Sequence, residues 1–159
     1  MEAMPGKRPA DSQTECSHIL LYPHLNGQQR LFGGQLMEWM DICAAITARR
    51  HSGKNVTTMS VDTLTFHKPA FANDTLVLIG KVVFVGGTSM RVRVNAYIES
   101  LGGERTHINQ ACFVMVAIDE QGKPTRVPAL EPQTDEEKAE WERAHREYLE
   151  RKNRAAASR

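Results

Sequence analysis

The sequence has little cysteine, no excess of either charge and no long apolar run, and each shortage removes a class of protein. Its three cysteines, Cys16, Cys43 and Cys112, are odd in number and far apart, so they spell neither a disulfide framework nor a zinc pattern. Twenty basic and 19 acidic side chains leave a net charge of +1, whereas a dedicated nucleic-acid binder carries a basic excess. The apolar runs are a few residues long, against the roughly 20 needed for a membrane-spanning helix. The opening stretch MEAMPGKRPADSQTEC has no apolar h-region and contains acids, so neither a secretory signal nor a transit peptide is expected. The six histidines show no HExxH or comparable ligand spacing, and no GxSxG elbow is present. The expectation is a cytoplasmic globular chain of 159 residues, one domain with a tail, without metal, nucleic acid or membrane as partner.

Three regions are expected: a flexible polar arm over 1–14, a main domain over 15–127, and a proline-containing linker with a charged helix or tail over 128–159. The short apolar run HILLY, residues 18–22, predicts a first strand ended by Pro23, and the Gly- and amide-rich HLNGQQRLFGG a loop. Leu36, Met40, Cys43 and Thr47 recur at helical spacing, with Arg49, Arg50 and His51 at the end and Gly53 just beyond, which predicts a helix over 34–50. Its 17 residues span roughly 26 Å and are apolar on nearly every side from Trp39 to Ala48.

Strands are expected at 55–67, 75–85, 88–99 and 106–118. The third alternates cleanly, Met90, Val92, Val94, Ala96 and Ile98 against Arg91, Arg93, Asn95, Tyr97 and Glu99. Gly86-Gly87 and Gly102-Gly103 read as hairpin turns, hence an antiparallel sheet. Pro124, Pro128 and Pro132 read as a stiff connector. Thr134 with Glu137 forms a capping box for a last helix with 14 charges in residues 132–159, seven of each sign, and the i,i+4 pairs Glu142–Arg146 and Glu147–Arg151. Trp141 and Tyr148 form its only apolar stripe. A central helix apolar all round cannot bury itself on one flat sheet. The pattern therefore predicts an α+β fold, a curved antiparallel sheet wrapped around that helix, with a second copy covering what the sheet leaves open.

Gly33-Gly34 sit at the helix entry, where backbone N–H groups lack intrahelical partners and, with the helix dipole, suit a developing oxyanion. Asp41 lies between Met40 and Ile42 in the most apolar part of the helix, where a carboxylate is costly unless paired or open to a cavity. With Gln35 and Glu38 it could equally form a solvated stripe. Arg91 and Arg93 could grip phosphates or merely face water. Cys43 reads as a core residue.

The run from Asn26 through Leu31-Phe32-Gly33-Gly34, Leu36-Met37 and Trp39-Met40-Asp41, then Ala44-Ala45 and Arg50-His51, resembles the acyl-CoA thioesterases of the hot-dog superfamily. Thr58-Met59-Ser60-Val61-Asp62 with Phe66 and Pro69, Val85-Gly86 and Thr88-Ser89-Met90 extend the resemblance over about residues 15–130. Gln29 and Asn73 stand where the family usually has glycine. The resemblance implies a hot-dog fold and hydrolysis of acyl-CoA at a site shared across a homodimer, with a trimer of dimers as the larger assembly. It makes Asp41 the catalytic general base or nucleophile and Asn26 the residue that positions thioester or water. Gly33 and Gly34 supply the oxyanion donors. Thr58, Lys68, Ser89, Arg91 and Arg93 are the expected substrate contacts, and no cofactor is implied, CoA being part of the substrate. Three alternatives are a non-catalytic acyl-CoA-binding module, which would need no Asp41, a purely structural assembly domain, and a hot-dog hydratase. The last resembles an Asp-x-x-x-x-His pairing, and here the fifth residue after Asp41 is Ile46.

Overall fold

In the computed structural model, which describes residues 4–159, the central helix α2 runs Gly33–Ser52. Leu36, Met40, Cys43, Ala44, Thr47 and Ala48 are buried along one side of it. Each buried Leu or Met contributes about 1.5–3 kcal/mol, against propensity differences below about 0.7 kcal/mol per ordinary residue. Packing therefore holds a helix that opens on two glycines and contains Ile42, Ile46 and Thr47. Gly53 ends it in the left-handed conformation, φ 67°, its N–H donating to the Arg49 carbonyl at 2.8 Å.

The helix lies on a five-stranded antiparallel sheet of order β1-β3-β4-β5-β2. The strands are β1 Thr14–Ile19, β2 Asn55–Phe66, β3 Thr75–Val85, β4 Ser89–Glu99 and β5 Arg105–Ile118. α2 touches all five, which one sheet achieves by curving around it, the hot-dog arrangement. The two glycine turns are hairpins: Gly86 N–H donates to Ser89 O at 2.9 Å, and Gly103, φ 89°, closes the turn from Ser100. β2, in contrast, crosses to the far edge beside β5 rather than pairing with β3. The intervening residues 67–74 contain Pro69 and are too many for a tight hairpin. Asn73 turns the chain there at φ 69°, the conformation expected of glycine.

Two expectations are corrected, and the connector proves to be held to the domain. The first strand covers Thr14–Ile19 rather than 18–22, because Thr14, Cys16 and His18 alternate inward while Tyr22–His24 already form a 3-10 turn. The arm is not loose over residues 4–13. It holds a one-turn helix α1, Pro9–Ser12, with Pro9 and Ser12 buried, and Lys7 Nζ donates to the Arg50 carbonyl at 2.9 Å, a cation at the negative end of α2. Residues 1–3 of that arm lie outside the described residues. The proline connector is likewise fastened, with Val127 and Leu130 buried and Val127 N–H donating to Gly87 O at 3.1 Å.

The last helix, α3, runs Asp135–Ala157 behind its Thr134–Glu137 capping box. It crosses the sheet face away from α2, where Trp141, His145 and Tyr148 surround Phe84 with ring centroids 5.2–5.4 Å away. The expected Glu147–Arg151 pair within the helix is replaced: Glu147 reaches Arg91 and Arg151 reaches Asp62 of the sheet. Partly buried partners hold these charges better than an exposed neighbour one turn away. No helix among the described residues is long and apolar enough to cross a membrane.

His51, fully buried at the end of α2, donates from Nε2 to the Pro128 carbonyl at 2.8 Å and so ties helix to connector. Burial holds its imidazole below the usual histidine range, outweighing the carbonyl, which favours the charged ring. The unfolded chain thus takes up this proton before the folded chain does, so stability is present above the ordinary histidine pKa of about 6.5 and falls as pH drops through it. We expect the urea midpoint to decline from about pH 7.5 to pH 5 and His51→Gln to flatten part of that decline. An unchanged pH dependence in the variant would remove His51 from this role.

Candidate active site

At the start of α2 the N-cap residue Phe32 has no side-chain acceptor to offer. The amides of Gly33, Gly34 and Gln35 make no hydrogen bond among the described residues, and Leu36 is the first to find a carbonyl, that of Phe32 at 3.1 Å. A Cβ at Gly34 would stand 2.6 Å from the Phe32 ring and one at Gly33 3.2 Å from Phe66 Cζ, so aromatic rings close on both glycines. Phe66, legible in the sequence only as part of a motif, is therefore a neighbour of the helix start.

The preceding loop folds around Asn26. Its Oδ1 accepts from the amides of Gln28 (2.9 Å) and Arg30 (3.2 Å), and its own N–H donates to the Arg30 carbonyl at 2.8 Å. Gln29 sits at φ 59°, the left-handed conformation that glycine adopts freely. With Oδ1 engaged, Nδ2 of Asn26 is the donor left without a partner among the described residues. Asn26 and Lys68 line one cavity of about 290 Å³, together with Leu31, Leu36, Phe66 and Ile108.

Two turns along the helix, the half-buried Asp41 accepts a hydrogen bond from Thr58 Oγ1 of β2, Oδ1 at 2.6 Å. Gln35 and Glu38 pair with each other at the surface at 3.4 Å, so the stripe splits and Asp41 alone is tied to the sheet. Beside it Met37 and Ile42 are 37% and 49% exposed, and the edge strand β2 exposes Met59 at 67%. Asp41 follows Gly33 by eight positions, which amount to about 12 Å of helix.

The five expected substrate contacts divide between the two faces of the sheet. Thr58 and Lys68 lie with Asp41 and Asn26 respectively. Ser89, Arg91 and Arg93 do not: strand alternation sends Met90, Val92 and Val94 into the core with α2, and the odd-numbered residues to the α3 side. Arg91, only 8% exposed, pairs with Asp62 and Glu147 at 2.8 Å each, and Arg93 pairs with Glu140 at 2.6 Å. In the single chain these arginines are thus engaged by acids, and Ser89 lies on the α3 side, apart from Asp41 and Asn26. Burial, then the adjacent Cys16, pushes the Cys43 thiol up to about 12, which suits a core residue. Among the described residues no three His, Cys, Asp or Glu side chains converge as a metal would require.

Comparison with known proteins finds relatives along most of the chain. Residues 28–104 match the family described as the thioesterase superfamily. An uncharacterized acyl-CoA thioester hydrolase of Bacillus subtilis is 39% identical over 130 residues, covering 81% of this chain and 76% of that protein. An acyl-CoA hydrolase of Staphylococcus aureus, solved with butyryl coenzyme A, coenzyme A and coenzyme A disulfide, superposes with a TM-score of 0.89 at 32% identity, covering 97% of this chain and 94% of that one. The same enzyme has been solved with an asparagine, an aspartate or a threonine replaced by alanine, positions 15 and 17 residues apart in turn. An apo-hexameric acyl-CoA thioesterase gives a TM-score of 0.89 at 39% identity, covering 96% and 99%. With identity at this level along most of its length, the chain belongs to the acyl-CoA thioester hydrolases of the thioesterase superfamily.

Proposed function

We propose that the protein hydrolyses acyl-CoA to free acid and CoA at a site completed by two copies of the chain. The observation that carries this reading is the separation of its parts. A thioester carbon must lie within hydrogen-bond reach of both the oxyanion donors and the group that delivers water. Asp41 lies about 12 Å along the helix from the Gly33 amide, too far to serve the same carbon. It stands, however, on the side of α2 that the sheet leaves open. A two-fold pairing of α2 helices places Asp41 of the partner subunit opposite the helix start of the first. The staphylococcal variants support the choice of residues, since asparagine, aspartate and threonine recur here at 26, 41 and 58 with the same spacing.

In this arrangement the thioester oxygen accepts from the amide of Gly33 or Gly34, and Asn26 Nδ2 donates to the same oxygen or to the attacking water. One such donor is worth on the order of 10²–10³ in rate. Thr58 holds one oxygen of Asp41, so the other is free to act on the carbon, through a water or directly. The departing CoA thiolate belongs to a thiol of pKa about 8.5 and leaves readily. The cavity shared by Asn26 and Lys68 receives the substrate, with Lys68 as the cation for CoA phosphates. A homodimer is the smallest active unit, and a trimer of dimers is the assembly that accords with the hexameric relative.

Thiol release from acyl-CoA tests this. Asp41→Asn and Asn26→Ala are each expected to lose about 10² or more in kcat with an unchanged circular dichroism spectrum; full turnover by Asp41→Asn would refute the assignment. Co-refolding the two inactive variants should restore about a quarter of wild-type activity, because half the dimers then hold one intact site. Recovery of none would place both residues in a single subunit. Arg91→Gln is expected to cost about 3 kcal/mol of stability, as breaking a buried ion pair does, with KM for acyl-CoA unchanged. A raised KM at unaltered stability would reinstate Arg91 as a phosphate ligand.

A further inference from the structure

Residues 26–30 are exposed, and their hydrogen bonds run mainly within the loop itself. Such bonds shape the loop but do not fix it to α2. The fastening comes from the side. Trp39, half-buried on α2 between the glycine start and Asp41, packs against the core and receives two imidazoles. His18 of β1 stacks on the indole with centroids 4.1 Å apart and planes 8° from parallel. His24, at the base of the loop, meets it edge-on at 4.7 Å and 72°. His24 is itself held, since its Nδ1 accepts from the Leu21 N–H at 3.0 Å, and its carbonyl accepts from the N–H of Phe32, the N-cap residue, at 2.9 Å.

One indole thus joins β1, the turn before Asn26 and the helix that bears both the bare amides and Asp41. Burial, then the neighbouring His24, holds His18 below the usual histidine range, which favours the uncharged ring on the indole. Aromatic contacts of this kind are sensitive to ring orientation, which suits them to setting the angle of a loop.

We infer that Trp39, clamped between His18 and His24, is a positioning residue for thioester hydrolysis, setting the Asn26 loop and the helix-start donors relative to each other. The inference rests on the role proposed above for Asn26. Trp39→Ala is expected to lower kcat roughly ten- to a hundredfold, the loss of two aromatic contacts, with a smaller change in KM. Trp39→Phe, which keeps a ring between the histidines, should recover most of it. In an Asn26→Ala background, Trp39→Ala should cost less than about twofold more, because coupled residues do not add. Amide hydrogen exchange at Gln28 and Arg30 should quicken in Trp39→Ala while β3 and β4 exchange as in wild type. Unchanged exchange in the loop, or a full multiplicative loss on top of Asn26→Ala, would overturn the inference. If Asn26→Ala alone leaves turnover intact, the role of Asn26 falls, and loop exchange still decides whether Trp39 holds the loop. Should Trp39→Ala not fold, His24→Ala must reproduce the slower kcat and faster loop exchange, and wild-type behaviour of that variant would equally overturn the clamp.

Discussion

Burying Leu36, Met40, Cys43 and Ala44 in the hollow of five strands leaves the opposite side of the same helix, with Met37 and Ile42, without a cover in the single chain. A helix of about 11 Å diameter cannot be enclosed by a sheet that must also keep two edges. The uncovered side therefore asks for a second apolar surface, and an identical helix related by a two-fold axis meets that need with one sequence. The same geometry explains why a carboxylate is tolerated at position 41. It sits on the uncovered side, half-buried and hydrogen-bonded to Thr58, so it keeps a partner without entering the core.

The other face of the sheet solves a different problem. Its outward residues on β4 include arginines, and an exposed strand face would have left them to water. Instead α3 lays Glu140 and Glu147 over Arg93 and Arg91, while Arg151 joins Asp62. Such pairs gain little net stability over apolar packing but are costly to break once formed. They fix where α3 sits, and Phe84 among Trp141, His145 and Tyr148 supplies the apolar contact beneath.

Local features were legible in the sequence because their causes are local. Helical spacing marked α2, glycine pairs marked both hairpins, and Thr134 with Glu137 marked the start of α3. Gly33, Gly34 and Asp41 could be singled out from the glycine entry and the acid within an apolar helix, whereas Asn26 came only with the family resemblance. What depends on which strand lies beside which was not legible. Nothing local sends β2 to the far edge, and only from that edge does Thr58 reach Asp41. The alternation of β4 told which residues share a face with Arg91, but not that a distant charged helix would claim that face. Gly80 within the apolar strand β3 takes its meaning from the helix packed on it. A Cβ there would meet Thr47 Oγ1 at 2.5 Å and Cys43 Sγ at 3.1 Å, so it marks where β3 and α2 come closest.

The helix start shows the same trade between local rule and site. Serine, threonine, aspartate or asparagine at an N-cap stabilises a helix by about 1 kcal/mol by accepting from its first amides. Phe32 forgoes that contribution, and its ring instead crowds Gly34. A capping side chain would occupy the very donors proposed above for the thioester oxygen, and its removal would have to accompany every turnover. An uncapped start costs the fold a little at all times and the reaction nothing, provided the loop beside it is held by something other than those amides. The Phe32 N–H, on the His24 carbonyl, and the indole beneath His24 supply that hold while leaving Gly33 and Gly34 bare.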